Sequence, residues 1–379
     1  MLTPLELQEL RRDLADTRVL SVYLDTRITD PAMRDTWRAS LQNSIRSARA
    51  NVADEKDRAL FDRAAEHLRD PEHPPGGAWG APGWVAFATP DGVRYASDLP
   101  VRPVTVADWR DGPVIAPYLR VMKQHRPVIV ALVESRSARL YRYALGRLEQ
   151  VDELSAPAED VAGSERITGS LPRGGPLPAA RGAVATDAVQ RHRQAAFQRL
   201  ASSLSERIAQ LARDDGWILI GGSSEWARQA GEALPRRFEK RVLVSTALPH
   251  DASGNDIKDA AKEAATELRG AHGRVLVKGL IELSGAHARG ATGIEAVRRA
   301  LDARAVDQLL VSPDFIGAHE AEAEELVRAA MGQGADVEIP SGDAAAELDR
   351  AASGVAARLR FAIEGRSGGE QEAVAEARG

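Results

Sequence analysis

Residues 128–144 read VIVALVESRSARLYRYA, and this stretch decides the fold of the chain's centre. Val128–Glu134 and Ala138–Ala144 are β-rich runs separated only by Ser135-Arg136-Ser137, which predicts a hairpin. Further on, residues 217–226 read WILIGGSSEW, an apolar strand that passes through Gly221-Gly222 into a helix from about Ser224. Between these landmarks, residues 155–186 are rich in Gly, Pro, Ala and Ser and have no periodic apolar pattern. Long stretches of that kind inside a compact domain tend to be functional or mobile. A helix is expected to resume near Thr186, as its N-cap, and to run to about Arg213, while Pro235 precedes a basic segment and Arg241–Val244 is strand-like.

Upstream, Thr3 and Glu6 have capping-box spacing, Pro4 takes the first helical position, and Leu5, Leu7, Leu10 and Leu14 supply an apolar stripe. Arg18–Thr26 reads as a strand, and residues 33–69 as a long charged helical stretch that no Gly or Pro interrupts. After a Pro/Gly loop at Pro71–Gly83, the strands Trp84–Ala88 and Val93–Ser97 are joined by Pro90-Asp91-Gly92, a turn signal. Residues 100–125 read as mixed sequence. Downstream, a helix from about Asp256 to Leu283 leads through the Gly-rich Ser284–Gly293 to helix Ile294–Ala303, strand Val306–Ser312, helix Ala318–Met331, strand Val337–Ile339 and a helix near Ala344. That alternation predicts a small three-layer α/β domain. The polar, Gly- and Glu-rich end of the chain reads as a disordered tail.

Composition narrows the functional classes. The 379 residues exceed one ordinary core, and 44% hydrophobic with 28% charged residues is a globular balance. With no cysteine, disulfides, thiolate metal sites, iron–sulfur clusters and cysteine nucleophiles are all excluded. The N-terminus runs straight into a charged amphipathic stretch and the longest apolar runs are far too short for a bilayer, so a soluble cytoplasmic protein is expected. Fifty basic residues against 55 acids give a net charge of −5, but only six of the bases are lysine. A GC-rich genome explains the excess of arginine, whose planar fork also suits phosphate.

The arginines gather at one place. From Arg166 to Arg207 the chain carries Arg166, Arg173, Arg181, Arg191, Arg193, Arg199 and Arg207 with His192, against only Asp187 and Glu206. Such a loop and helix can contact an RNA phosphate backbone, although a solvated helix face gives the same composition. Phe197 alone interrupts the cluster, which argues against a base-stacking platform. The Gly221–Ser224 turn resembles a phosphate-binding element but lacks the lysine of a P-loop, so turn geometry is the better reading. The eight histidines are scattered without metal-ligand spacing, and no metal or cofactor is expected. Asp25, at a strand end, reads as a cap or salt-bridge partner.

In order along residues 18–362, these segments resemble the bacterial members of the archaeo-eukaryotic release factor family, the group that includes Pelota-like, Balon-like and Vms-like proteins. The carriers are SVYLDT (21–26), VIVALVESRSARLYRYALGRL (128–148), the Arg-bearing Gly-rich loop with its basic helix, WILIGGSSEW (217–226), GATGIEAV (290–297), AVDQLLV (305–311) and GVAARLRF (354–361). The resemblance implies an α/β, α+β multidomain protein. Residues 1–124 would form an N-terminal α/β domain, and 125–252 a ribonuclease-H-like central domain with its basic loop at 155–186. Residues 253–364 would form a release-factor or Pelota-like C-terminal domain, followed by a tail at 365–379. It implies a ribosome-binding protein that enters the A site like a tRNA, contacts ribosomal RNA and peptidyl-tRNA, and works with a translational GTPase such as elongation factor Tu. Neither DNA nor a membrane is an expected partner.

In the family the central loop reaches the peptidyl-transferase centre, where a Gly-Gly-Gln motif hydrolyses the ester in those members that are release factors or peptidyl-tRNA hydrolases. Here the loop reads Pro172-Arg173-Gly174-Gly175-Pro176-Leu177, with Pro176 where glutamine would stand. The glutamine position offers a backbone N–H to the developing charge, and proline has none. Losing one such donor typically slows a reaction about 100- to 1,000-fold. Gln190 and Gln194 are nearby, but neither follows a glycine pair. No catalytic residue is therefore assigned, and the residues expected at RNA are Arg173, Gly174, Gly175, Pro176, Arg181, Arg191 and Arg193. The first domain also lacks an obvious stop-codon motif. Occupancy of idle or stalled ribosomes is the first expectation, and peptidyl-tRNA hydrolysis with a modified loop the alternative.

Overall fold

A computed structural model describes residues 2–26, 36–69, 81–156, 179–213, 215–286 and 289–363; of Pro4, Thr36 and residues 179–192 it describes only the backbone. The expected tail at 365–379 lies outside the described residues. The chain forms two compact units, one of residues 1–124 with 273–379 and one of residues 125–272.

The first unit opens with α1 (Pro4–Asp13), whose capping box forms as expected: the Thr3 amide donates to Glu6 Oε2 at 2.7 Å and the Glu6 amide to Thr3 Oγ1 at 3.3 Å. Leu7 and Leu14 are buried, whereas Leu5, one of the expected stripe, is 63% exposed. Strand β1 (Arg18–Asp25) is followed by α2 (Thr36–Ala50) and α3 (Glu55–Glu66). The expected single helical stretch is thus two helices, because Asp54 caps the second by accepting from the Asp57 amide at 2.8 Å. Strands β2 (Gly83–Thr89) and β3 (Gly92–Leu99) form the expected hairpin. The mixed sequence after them resolves into β4 (Val106–Asp111) and α4 (Ala116–Gln124). The antiparallel sheet runs β3-β2-β1-β4. Strand β1 serves two cores by alternation: Leu20, Val22 and Leu24 meet Trp37, Leu41 and Phe61, while Val19 and Tyr23 join Phe87 and Tyr118. Asp25 is a salt-bridge partner, accepting from Arg102 at 2.6 Å.

The second unit holds β5 (Val128–Val133), β6 (Ser137–Ala144), β7 (Arg147–Ser155), α5 (Ala179–Ala212), β8 (Trp217–Gly222), α6 (Ser224–Glu232) and β9 (Val242–Val244). Helix α7 (Gly254–Ala286) follows, and the chain passes from this unit back into the first within it. The sheet order is β7-β6-β5-β8-β9, with β5–β7 an antiparallel meander and β8 and β9 parallel to β5. This is the ribonuclease-H-like arrangement expected of the centre. Every residue of β5 is buried. Ile129, Ala131 and Val133 pack under α5 and α6, and Val128, Val130 and Leu132 under Ile257, Ala261, Ala264 and Leu268 of α7.

The first unit is completed by β10 (Gly290–Thr292), α8 (Ile294–Asp302), β11 (Val306–Val311), α9 (Pro313–Ala318), α10 (Glu320–Gly332), β12 (Asp336–Glu338), α11 (Asp343–Ala352) and β13 (Val355–Leu359). Their sheet runs β10-β13-β11-β12 and is covered on both faces, as a three-layer domain requires. Leu309, Val311, Val355 and Ala357 pack with α8 and α10, and Leu310 and Ala356 with Leu348 of α11 and Val277 and Leu280 of α7. The core of the first unit runs without a break from Leu7 through Tyr118 and Leu119 to Leu326 and Val337.

Helix α4 is fastened at both ends. At its start the buried Glu324 on α10 accepts from the amides of Ile115 at 3.0 Å and Ala116 at 2.7 Å, so a carboxylate caps a helix N-terminus from across the core. At its end the buried Lys123 donates to Glu338 at 2.9 Å and Asp336 at 3.3 Å on β12. Burial pushes the Glu324 carboxyl up to about 7, and the two amides, Arg328 and Arg110 only partly oppose it. A carboxyl held above its ordinary 4.5 is bound to its proton more tightly in the folded chain, so ionising it costs stability. That cost is absent below pH 4.5, grows as the pH rises to about 7 and is constant above. Glu324→Gln is expected to remove this component: between pH 5 and 8, urea unfolding of the variant should lose less stability than the parent, by up to about 3 kcal/mol. An identical pH dependence in both proteins would show that Glu324 ionises freely in the fold.

Candidate nucleic-acid interface

Strands β5 and β8 lie side by side and parallel, and parallel neighbours can be joined only by a chain that crosses over one face of the sheet. The residues predicted to touch RNA sit in that crossover. The chain leaves the sheet at the end of β7, where the Ala156 amide donates to the Arg136 carbonyl at 2.8 Å, and returns as α5. Arg166, Arg173, Gly174, Gly175 and Pro176 fall in residues 157–178, outside the described residues. Helix α5 begins at Ala179, seven residues before the expected N-cap Thr186, so Arg181 and Arg191 lie on its backbone with their side chains outside the description. Arg193 and Arg199 are exposed on the same helix.

The other half of α5 is structural. Phe197, Leu200, Ala201, Leu204, Ile208 and Ala212 recur at helical spacing and are buried against the sheet. Phe197 meets Trp226 of α6 with ring centroids 4.4 Å apart, and Gln194 donates to Gln229 at 2.7 Å. Gln194 and Gln190 are both helical residues of α5, which leaves neither in the loop to replace the missing glutamine. Arg207 also drops out of the basic cluster. It pairs with Asp152 of β7 at 2.6 Å, and that hydrogen bond holds the Asp152 carboxyl below its ordinary value.

A second group of cations reads in the sequence only as a basic segment after Pro235. Residues 236–241 form a 3-10 turn, RRFEKR, that leads straight into β9. Phe238 is fully buried in the core under α5 and α6, and its amide donates to the Pro235 carbonyl at 2.9 Å. The guanidinium carbons of Arg237 and Arg241 each lie 4.9 Å from the Phe238 ring centroid. Arg236, Arg237 and Lys240 are exposed. The signal was four cations in six residues, hidden by their having no helical or strand period.

The glycine turn after β8 has a purely geometric explanation. Gly222 has φ +109°, and a Cβ there would lie 2.1 Å from the Val133 carbonyl oxygen and 2.6 Å from the Val133 nitrogen. Only glycine lets β8 run this close beside β5. Ser223 stands at the N-cap of α6 without a side-chain cap bond, its amide instead donating to the Val133 carbonyl at 3.0 Å.

Residues 113–266 match the model of bacterial archaeo-eukaryotic release factor family 10. The match covers the central part of the chain. It holds the whole ribonuclease-H-like sheet, the crossover loop and the turn at 236–241. No curated protein matches the chain. Among solved structures the chain is similar to Archaeoglobus fulgidus Pelota, with 17% identity, 74% of this chain and 80% of that one covered, and a TM-score of 0.33. It is also similar to Saccharomyces cerevisiae Dom34, described as a translation termination-like factor of RNA quality control that interacts with Hbs1, at 8% identity, 74% and 81% coverage and a TM-score of 0.46. A ribosome-bound archaeal Pelota matches at 16% identity, 74% and 78% coverage and a TM-score of 0.42. The fold assignment stands on the strand orders and the family match, not on these superpositions.

The glycine argument is open to a direct check. Gly222→Ala combines an unfavourable positive φ with a backbone clash and is expected to destabilise the protein by about 2–4 kcal/mol in urea unfolding. Gly254→Ala, at a position where a Cβ meets nothing within 4 Å, should have little effect. Equal midpoints for the two variants would contradict the close approach.

Proposed function

We propose that this protein is a ribosome-binding factor that occupies the A site of idle or stalled ribosomes, in hibernation or rescue, and that its crossover loop faces the peptidyl-transferase centre without hydrolysing peptidyl-tRNA. The observation that carries this reading is Pro176 after Gly174-Gly175, inside the segment that matches the model of a release factor family. The glycine pair keeps the backbone permissive for close approach to RNA. Proline removes the N–H that would stabilise an oxyanion, which leaves the loop able to sit at the site but poorly able to catalyse. Delivery by a translational GTPase such as elongation factor Tu belongs to the same reading.

A second reading has its own support. Gly174 and Gly175 are retained, and a loop with both glycines could still release peptide through a modified geometry. The two part in one assay. Purified protein added to ribosomes that carry peptidyl-tRNA is expected to bind and co-sediment with no release of peptide above the buffer control. Release that is abolished by Gly174→Ala would replace occupancy by peptidyl-tRNA hydrolysis. Absence from every ribosomal fraction, in starved cells and in vitro, would overturn both.

For the basic loop and helix start, Arg173→Glu and Arg181→Glu are each expected to weaken ribosome binding, with the thermal unfolding midpoint unchanged. Wild-type affinity in both variants, measured by pelleting over a salt series, would put this segment outside the interface.

A further inference from the structure

The turn at 236–241 differs from many other cations of the second unit in how it is held and in what its charges do. Several other arginines of that unit are spent on the fold: Arg126 pairs with Asp215 at 2.8 Å, Arg207 with Asp152 at 2.6 Å and Arg228 with Glu232 at 2.6 Å, while Arg139 donates to the His250 carbonyl. Among the described residues no carboxylate lies within ion-pair distance of Arg236, Arg237 or Lys240, and all three are exposed. The six residues hold four cations and one acid, Glu239.

The backbone under these charges is fixed. Phe238 anchors the turn in the core, Pro235 sets its entry at φ −57°, and β9 leaves it directly into the sheet beside β8. Arg241 is drawn inward, donating to the Arg213 carbonyl at 3.5 Å, so that Arg236, Arg237 and Lys240 form the outward group. A 3-10 turn rises about 2 Å per residue, which spaces the first and last of these cations by about 8 Å, enough to meet more than one phosphate of a single strand. Two of the three are arginines, whose planar forks take phosphate oxygens bidentately. No exposed aromatic accompanies them, as a backbone contact indifferent to base identity allows.

We propose that the Arg236–Arg241 turn is a second, pre-formed contact of this unit with RNA phosphates, distinct from the crossover loop. It rests on the reading of the protein as a ribosome-binding factor, and it names ribosomal RNA backbone as what this surface meets. A rigid contact in addition to the loop fixes the orientation of the unit on the RNA. Because no described carboxylate pairs with Arg236, Arg237 or Lys240, binding there releases counterions without first breaking an ion pair among the described residues.

The test uses the full chain with Arg236→Glu, Arg237→Glu and Lys240→Glu combined, and a neutral counterpart with glutamine at the same three positions. Each is measured against purified ribosomes and against naked ribosomal RNA over a salt series. Thermal midpoints should stay close to the wild type, because all three side chains are exposed and Phe238 is kept, only the Arg237 contact with its ring being lost. The glutamate variant should bind both targets about tenfold or more weakly, and its slope of log affinity against log salt should fall by about 2–3, with the glutamine variant in between. Unchanged affinity and slope in a folded variant, with wild-type protein binding normally, would overturn the inference and leave the ribosome reading intact. If wild-type protein binds naked RNA but not ribosomes, and the variants lose that binding, the turn stands as an RNA contact and the ribosome reading falls. Loss on ribosomes with normal binding to naked RNA would assign the turn to an acidic ribosomal protein and overturn the RNA assignment.

Discussion

The parallel pairing of β5 with β8 is the constraint on which the second unit depends. Strand β5 is buried on both faces, so it must be flanked by strands and covered by helices on each side. The β6–β7 meander takes one flank and β8 the other, and because β8 runs parallel to β5 the chain has to cross over a face of the sheet to reach it. That crossover is the Gly- and Pro-rich loop followed by α5. The same pairing brings the Gly222 backbone against Val133, which fixes the identity of the glycine, and it puts β9 on the far edge of β8, where the 236–241 turn is mounted. The loop and the basic turn both follow from one strand-pairing choice.

The first unit has an analogous fastener in α4. Its N-terminal amides are satisfied by a carboxylate from α10 and its last turn by an ion pair with β12. Buried charges are strongly missed when one partner is removed, because the other is left desolvated. Breaking either end therefore reaches both the 1–124 segment and the 273–379 segment, which share the core that α4 crosses.

Much of this was legible locally. The capping box at Thr3 and Glu6, the hairpins at 83–99 and 128–144, the Gly221-Gly222 turn and the βα alternation after residue 290 are written in neighbouring residues. What was not legible depends on partners far along the chain. Strand β4, VADWRD, is a half-exposed edge strand whose charged positions mask its alternation. Helix α4 spans only nine residues and buries even Lys123 beside Tyr118, Leu119, Val121 and Met122, so its polar positions Arg120, Lys123 and Gln124 do not mark a solvent face. Glu324 sits in an acidic run that reads as solvated, and only the approach of Ile115 and Ala116 makes it a buried cap. Arg207 counted as a free cation because nothing near it in sequence announces Asp152. The basic turn is legible only as a charged segment, for the opposite reason. Its composition was plain, but a 3-10 turn has no face to recognise, and only the burial of Phe238 shows that its charges are held in place.

Function rests on a loop whose chemistry is written in the sequence and on a scaffold that explains where the loop comes from. Pro176 argues against an oxyanion donor, and the two cationic elements argue for RNA on the second unit. A cryo-EM map of the protein on a non-translating ribosome tests the central claim most directly. The account predicts the protein in the A site, with residues 157–178 at the peptidyl-transferase centre and Arg236–Lys240 against ribosomal RNA phosphates. Density for the protein elsewhere on the ribosome, with residues 157–178 turned to solvent, would contradict it.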